Sequence, residues 1–217
     1  MSFEEMVELY EEWKDCTRCK LHSKRANVVF GEGNATNPKI LIIGEAPGPT
    51  EDKAALPFIG TTGKELRKVL TAAGADLAND CFITNTVLCF PTNDGKDFFG
   101  PLGPEIRTCL PRLDTQVALL EPSLRVVLLL GARAIGTFLK REDLLEGKLD
   151  TDAGFNSVKV NKMIGWHEID GASYKICAAQ HPSFICRGGL NEANLVYVKW
   201  KLLLKEAVDY AYATPAG

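Results

Sequence analysis

The sequence predicts an α/β fold, a three-layer α/β/α sandwich around a central four-stranded parallel sheet. Two observations carry this. Four short runs are dense in Ile, Val and Leu without strict alternation, as parallel strands covered on both faces require. Helical patterns separate those runs, and strand–helix–strand repetition builds a parallel sheet with helices on both sides.

Taken in order, Phe3 to Lys14 reads as a first helix and Lys39 to Ile43 as the first strand. A helix from Thr62 to Ala73 leads to a second strand, Cys81 to Thr84. Pro104 to Leu120 is the next helix; Pro104 sets φ in the first turn and Glu105 faces the helix dipole. Arg125 to Leu129 is the third strand, Ala132 to Lys140 a helix, Tyr174 to Ala178 the fourth strand, and Asn191 to Ala211 the closing helix. Phe90 to Gly103 and Glu142 to Trp166 read as long loops, the second with room for a hairpin, and Thr214 to Gly217 as a frayed end. No repeat, low-complexity tract or linker divides the 217 residues, which are expected to form one domain.

Composition narrows the class of function. With 46% apolar and 24% charged residues the chain can bury a core, and no apolar run approaches the length of about 18 residues that spans a membrane. The first residues are acidic where a secretory signal is basic and then apolar, so a cytoplasmic protein is expected. The net charge of −3 weighs against nucleic acid as a partner of the whole chain, although a local basic rim needs no basic total.

Seven cysteines, an odd number, argue for metal or redox chemistry over a disulfide framework. Cys16 and Cys19 form a C-x2-C pair after the first helix, and Cys89 and Cys109 are two further candidates. Four thiolates can ligate zinc or a [4Fe-4S] cluster, and composition does not choose between them. Cys81 and Cys177 lie within strands and read as small core residues, and Cys186 as inert.

The polar residues that follow the strands are the most informative. Gly44-Glu45-Ala46-Pro47-Gly48 follows the first strand, Asn85 the second, Gly131 the third and Gln180-His181-Pro182-Ser183 the fourth. Ligands of open α/β sheets bind outside the carboxyl ends of the strands, so a carboxylate, a carboxamide and an imidazole converge on one rim. Gly60-Thr61-Thr62-Gly63-Lys64 is too short between its glycines for a P-loop, and Glu65 stands where a Mg²⁺-holding hydroxyl belongs. It opens a helix, however, and the N–H groups around Gly60, Thr62 and Gly63 are suited to a single backbone phosphate.

These motifs occur in a fixed order: Cys16-x2-Cys19, Gly44 to Gly48, Glu51-Asp52, Pro57-Phe58-Ile59-Gly60, Ile83-Thr84-Asn85, Cys89, Pro104-x-Ile106-x2-Cys109-x-Pro111 and His181-Pro182-Ser183. Together they resemble the family 4 uracil-DNA glycosylases, the iron–sulfur branch of that superfamily, over about Asp15 to Trp200. The resemblance implies that the protein hydrolyses the N-glycosidic bond of uracil in DNA and acts as a monomer at the nucleoid. It also implies a [4Fe-4S] cluster on Cys16, Cys19, Cys89 and Cys109. Phe58 would stack on the flipped base, Asn85 would read its Watson–Crick edge, and His181, with backbone N–H groups near Ala46, would meet the charge of the departing uracil.

Glu45 or Glu51 would orient the attacking water, with Asp52 a third candidate. Ser183, Ile185 and Arg187 would belong to the loop that enters the minor groove, Ile185 as the apolar wedge and Arg187 against phosphate. Arg112, Arg133, Lys140, Arg141, Arg187, Lys199 and Lys201 are candidates for the basic rim. The chain departs from the family pattern in the run Cys89-Phe90-Pro91-Thr92-Asn93, in the longer stretch up to Cys109 (carrying Asp94, Asp97, Phe98 and Phe99), and in the enlarged region 142–166. Two alternatives share these motifs: excision of a different altered base, and a catalytically lapsed binder of DNA or abasic sites.

Overall fold

A computed structural model describes residues 3–93, 98–157, 160–190 and 193–214. Asp94, Asp97, Asn191 and most of the expected frayed end lie outside them. The strands are β1 (Glu32–Gly33), β2 (Ile40–Gly44), β3 (Cys81–Asn85), β4 (Val126–Leu130), β5 (Gly165–His167) and β6 (Lys175–Ala179), in the spatial order β1-β3-β2-β4-β6-β5. The expected parallel strands are the central four, β3, β2, β4 and β6, with Ile42 level with Ile83 and Leu128, and Leu128 level with Cys177. The sheet is wider than expected because β1 and β5 add to its two edges antiparallel. At two and three residues, neither is long enough to show a period in the sequence.

The helices are α1 (Phe3–Trp13), α2 (Pro49–Ala54), α3 (Thr61–Ala72), α4 (Gly103–Leu120), α5 (Ala132–Leu139), α6 (Arg141–Leu145), α7 (Asp152–Ser157), α8 (Val160–Met163), α9 (Pro182–Gly188) and α10 (Leu195–Tyr212). Region 142–166 is therefore mostly short helices; the only strand in its described part is the start of β5, which pairs antiparallel with β6 beyond the region, so the hairpin does not lie within it. Alternation along the strands divides the core in two. Leu41, Ile43, Phe82, Val127, Leu129, Ile176 and Ala178 pack with α1, α4 and α5. Ile40, Ile42, Ile83, Val126, Leu128, Leu130 and Ala179 pack with α3, α9 and α10. Fully buried strands expose no polar face, which is why they read as unbroken apolar runs.

Cys81 and Cys177 sit in the second core, where burial pushes both thiols up to about 12. They are core residues, as expected. Among the described residues no helix is long and apolar enough to cross a membrane.

Candidate active site

A cleft of about 250 Å³ opens at the carboxyl ends of the central strands. Glu45, Ala46, Glu51, Phe58, Thr62, Asn85, His181, Ser183 and Arg187 line it, so the rim expected from the sequence is assembled. Phe98, from the long loop, lines it too. It is half exposed and its ring stacks on buried Phe90 at 6.3 Å, a contact that nothing in the sequence pattern announces.

Asn85 ends β3 level with Gly44 at the end of β2. It is 1% exposed, and its Oδ1 is buried without a hydrogen-bond partner among the described residues. Such an orphan acceptor costs about 1–3 kcal/mol, so it marks a place where a ligand donor belongs. Gly44 permits this arrangement: a Cβ there would lie 2.5 Å from Asn85 Oδ1 and closer still to the Phe58 ring.

Phe58 has φ of 53°, the left-handed region that a bulky residue seldom adopts. Arg67 holds the turn, with Nε donating to the Phe58 carbonyl at 3.0 Å and Nη2 to the Pro57 carbonyl at 2.9 Å, while Glu32 pairs with the same guanidinium. Gly63 packs so tightly under Phe58 that a Cβ would collide with its backbone. The Phe58 and His181 rings lie 6.2 Å apart, inclined by 35°.

His181 caps α9, its Nδ1 accepting from Ser183 N–H at 3.2 Å. The ring proton therefore resides on Nε2. Burial, reinforced by the Arg187 charge, lowers its pKa from 6.5 to about 4, so the imidazole is neutral near pH 7. It is a hydrogen-bond donor rather than a cation.

The two glutamates separate by environment. Glu51 Oε1 accepts from Gly60 N–H at 2.7 Å, fastening α2 to the start of α3. Glu45 is largely buried, with Arg133 Nε 3.8 Å from its Oε1. Asp52 is buried beneath the loop, accepting from Ala26 N–H at 2.8 Å and Asn27 N–H at 3.2 Å, and lies outside the cleft lining.

Four expectations need correction. The Gly60 N–H is committed to Glu51, and Gly63 is a buried packing position, which leaves Thr62 as the residue of that turn lining the cleft. Ile185 is 2% exposed and packed in the second core, so it cannot serve as a wedge; its neighbour Phe184 is 49% exposed. Arg112 is fully buried and takes no part in a basic rim. Arg133 is mostly covered, with its guanidinium 4.8 Å over the Phe155 ring.

The four candidate ligand cysteines gather on the other side of the sheet, against the first core. Cys89 and Cys109 are buried, Cys16 and Cys19 partly so. Burial pushes Cys89 up to about 12 and raises Cys19 and Cys109; smaller contributions come from the thiols' effects on one another, Cys109 on Cys19 and Cys89, and Cys16 on Cys109. Arg25 Nη1 donates to Cys89 Sγ at 3.2 Å, and the buried Arg112 side chain hydrogen-bonds the Cys109 thiol, its Nε having no oxygen or nitrogen partner among the described residues. Four thiols beside two guanidinium groups, each in contact with a thiol, suit an anionic thiolate-bound group. Among the described residues no three His, Cys, Asp or Glu side chains are drawn together as the ligands of one ion would be. A polynuclear cluster spans a wider set of donors than a single ion does.

Comparison with known proteins agrees with this geometry. A profile described as the uracil DNA glycosylase superfamily matches residues 30–201. A type-4 uracil-DNA glycosylase of Pyrobaculum aerophilum is 34% identical over 184 residues, covering 84% of this chain and 85% of that one. One of Thermotoga maritima is 33% identical over 198 residues, covering 90% and 91%. A third, of Archaeoglobus fulgidus, is 31% identical over 182 residues, covering 84% and 83%. The chain belongs to the uracil DNA glycosylase superfamily, on its type-4 branch.

Proposed function

We propose that this protein excises uracil from DNA by hydrolysing its N-glycosidic bond, leaving an abasic site. The observation that carries this reading is the orphan Oδ1 of Asn85 in a cleft that also holds Phe58 and a neutral His181.

A base within a duplex is out of reach, so it is extruded into the cleft at a cost of a few kcal/mol. Stacking on Phe58 recovers part of that cost. The Asn85 carboxamide accepts from N3–H of uracil and donates to O4. Cytosine presents an acceptor and a donor in those positions and leaves the carboxamide mismatched, the kind of recognition that gives high discrimination. As the glycosidic bond lengthens, negative charge gathers on uracil O2. His181 Nε2–H, with the backbone near Ala46, donates to it, and a neutral donor fixed by Ser183 needs no reorganisation at that moment. Glu45 orients the water that attacks the cationic sugar, whereas Glu51 braces the loop through Gly60. Phe184 enters the space left by the base, and Arg187 meets a phosphate.

Cys16, Cys19, Cys89 and Cys109 hold a [4Fe-4S] cluster. Bound there, it supplies a structural cross-link between the segment after α1, the segment after β3, and α4. The observations that support it are the four neighbouring thiols and the guanidinium groups of Arg25 and Arg112 beside them.

The test is incubation with single- and double-stranded oligonucleotides containing uracil, hypoxanthine or a modified cytosine, followed by alkali. Strand breaks are expected at uracil. Breaks confined to another base would replace this reading with excision of that base, and breaks at none would overturn it.

A further inference from the structure

Arg112 is a cation with no access to water, three residues after Cys109 in α4. Its oxygen acceptors are all neutral, and beside them it also meets the Cys109 thiol. Nη1 donates to Gln116 Oε1 at 2.7 Å and to Thr84 Oγ1 at 3.3 Å. Nη2 donates to the carbonyls of Asn85 at 2.9 Å and Thr86 at 3.0 Å. Nε has no hydrogen-bond partner among the described residues.

A buried charge persists only when an opposite charge compensates it. The groups nearest to the Arg112 guanidinium that can carry negative charge are the Cys109 thiol, with which it makes a side-chain hydrogen bond, and then Cys89. On the far side of Cys89, Arg25 donates to Sγ at 3.2 Å. A thiolate-bound [4Fe-4S] group carries about two negative charges, which these two guanidinium groups match in number. Only Arg112 also grips the turn that carries Asn85.

We propose that Arg112 is a positioning residue: its charge is balanced by the thiolates of Cys89 and Cys109, and its planar fork, held by that balance, fixes the Asn85–Thr86 carbonyls and hence the carboxamide that reads the base. This rests on the cluster and base-reading roles given above. Arg is required because a lysine keeps the charge but cannot span two carbonyls and two side-chain oxygens at once. The integrity of the metal site is thereby coupled to base recognition across the sheet.

The experiment compares the iron-loaded wild type with Arg112→Lys, Arg112→Gln and Arg25→Gln. It measures iron content, the cluster midpoint potential, the Asn85 side-chain amide resonances, and KM and kcat on uracil-containing DNA. Arg112→Gln is expected to move the potential to more negative values, since a cation that favours the reduced form is lost, and to shift the Asn85 resonances. It should also raise KM about tenfold. Arg112→Lys should keep the potential but still shift Asn85. Arg25→Gln should move the potential and leave the Asn85 resonances in place.

Unchanged Asn85 resonances and KM in Arg112→Gln would overturn the proposal, as would an unchanged potential. Where Arg112 variants fail to fold, the wild type decides: stripping its iron with an oxidant and a chelator should shift the Asn85 resonances while circular dichroism retains the helices. No shift refutes the coupling, and a wild type purified anaerobically without iron refutes it as well. A wild type that binds iron and shows the coupling, yet releases no uracil, refutes the proposed activity instead.

Discussion

Lowering the pH from 7.5 to 5 is expected to destabilise the fold through His181. Its imidazole has a pKa of about 4 in the folded protein against an ordinary 6.5. Between those values the unfolded chain binds a proton that the native state does not, so stability is present above pH 6.5 and is lost as the pH falls towards 4. With 1.36 kcal/mol for each pKa unit, the whole effect is about 3 kcal/mol, and about 2 kcal/mol of it is gone by pH 5. Urea unfolding of the wild type and of His181→Asn at both pH values isolates this contribution, because the other titrating groups cancel in the double difference. The wild type should lose about 2 kcal/mol more than the variant. Equal losses, or a His181 ring resonance titrating with a midpoint near 6.5, would refute a neutral buried imidazole. Uracil release should also persist down to pH 5, since the donor keeps its form there.

Three further outcomes are expected. Gly44→Ala forces a methyl group between Phe58 and Asn85, so kcat/KM should fall by about 100-fold or more, roughly the loss of one oriented donor, while the circular dichroism stays the same. Phe184→Ala should raise KM on duplex DNA with no change in Tm, whereas Ile185→Ala, which empties a core position, should cost about 2–5 kcal/mol of stability in urea unfolding. Cys109→Ser should remove iron, measured by colorimetric assay, and lower Tm in the same preparation.

The central strands and the rim were legible because both follow from local pattern. A buried parallel strand must be apolar throughout, and the residue after it must face the crevice, so Glu45, Asn85 and His181 could be placed from the sequence. What escaped depends on contacts between distant segments. Gly60 and Glu51 each looked available for function, and their mutual hydrogen bond closes a loop that no period encodes. Arg112 read as a candidate for the basic rim, and it is the packing of α4 against the Asn85 turn that buries it. In α9, seven residues long, Ile185 and Phe184 differ by one position, and that step of about 100° decides which one faces the core. Short helices such as α6 and α7 are too brief for periodicity to separate them from loop.

Base selection by Asn85→Asp tests the central claim most directly. The measurement is single-turnover release from oligonucleotides that carry uracil or cytosine at one site, with wild type and variant. The wild type should release uracil about 10⁴-fold faster than cytosine, the discrimination available to a site built to hydrogen-bond its substrate. The variant, which can no longer donate to O4, should lose uracil release by two orders of magnitude or more, roughly the contribution of one oriented donor, with its fold intact. Uracil release and preference unchanged in Asn85→Asp would contradict the role assigned to the orphan carboxamide.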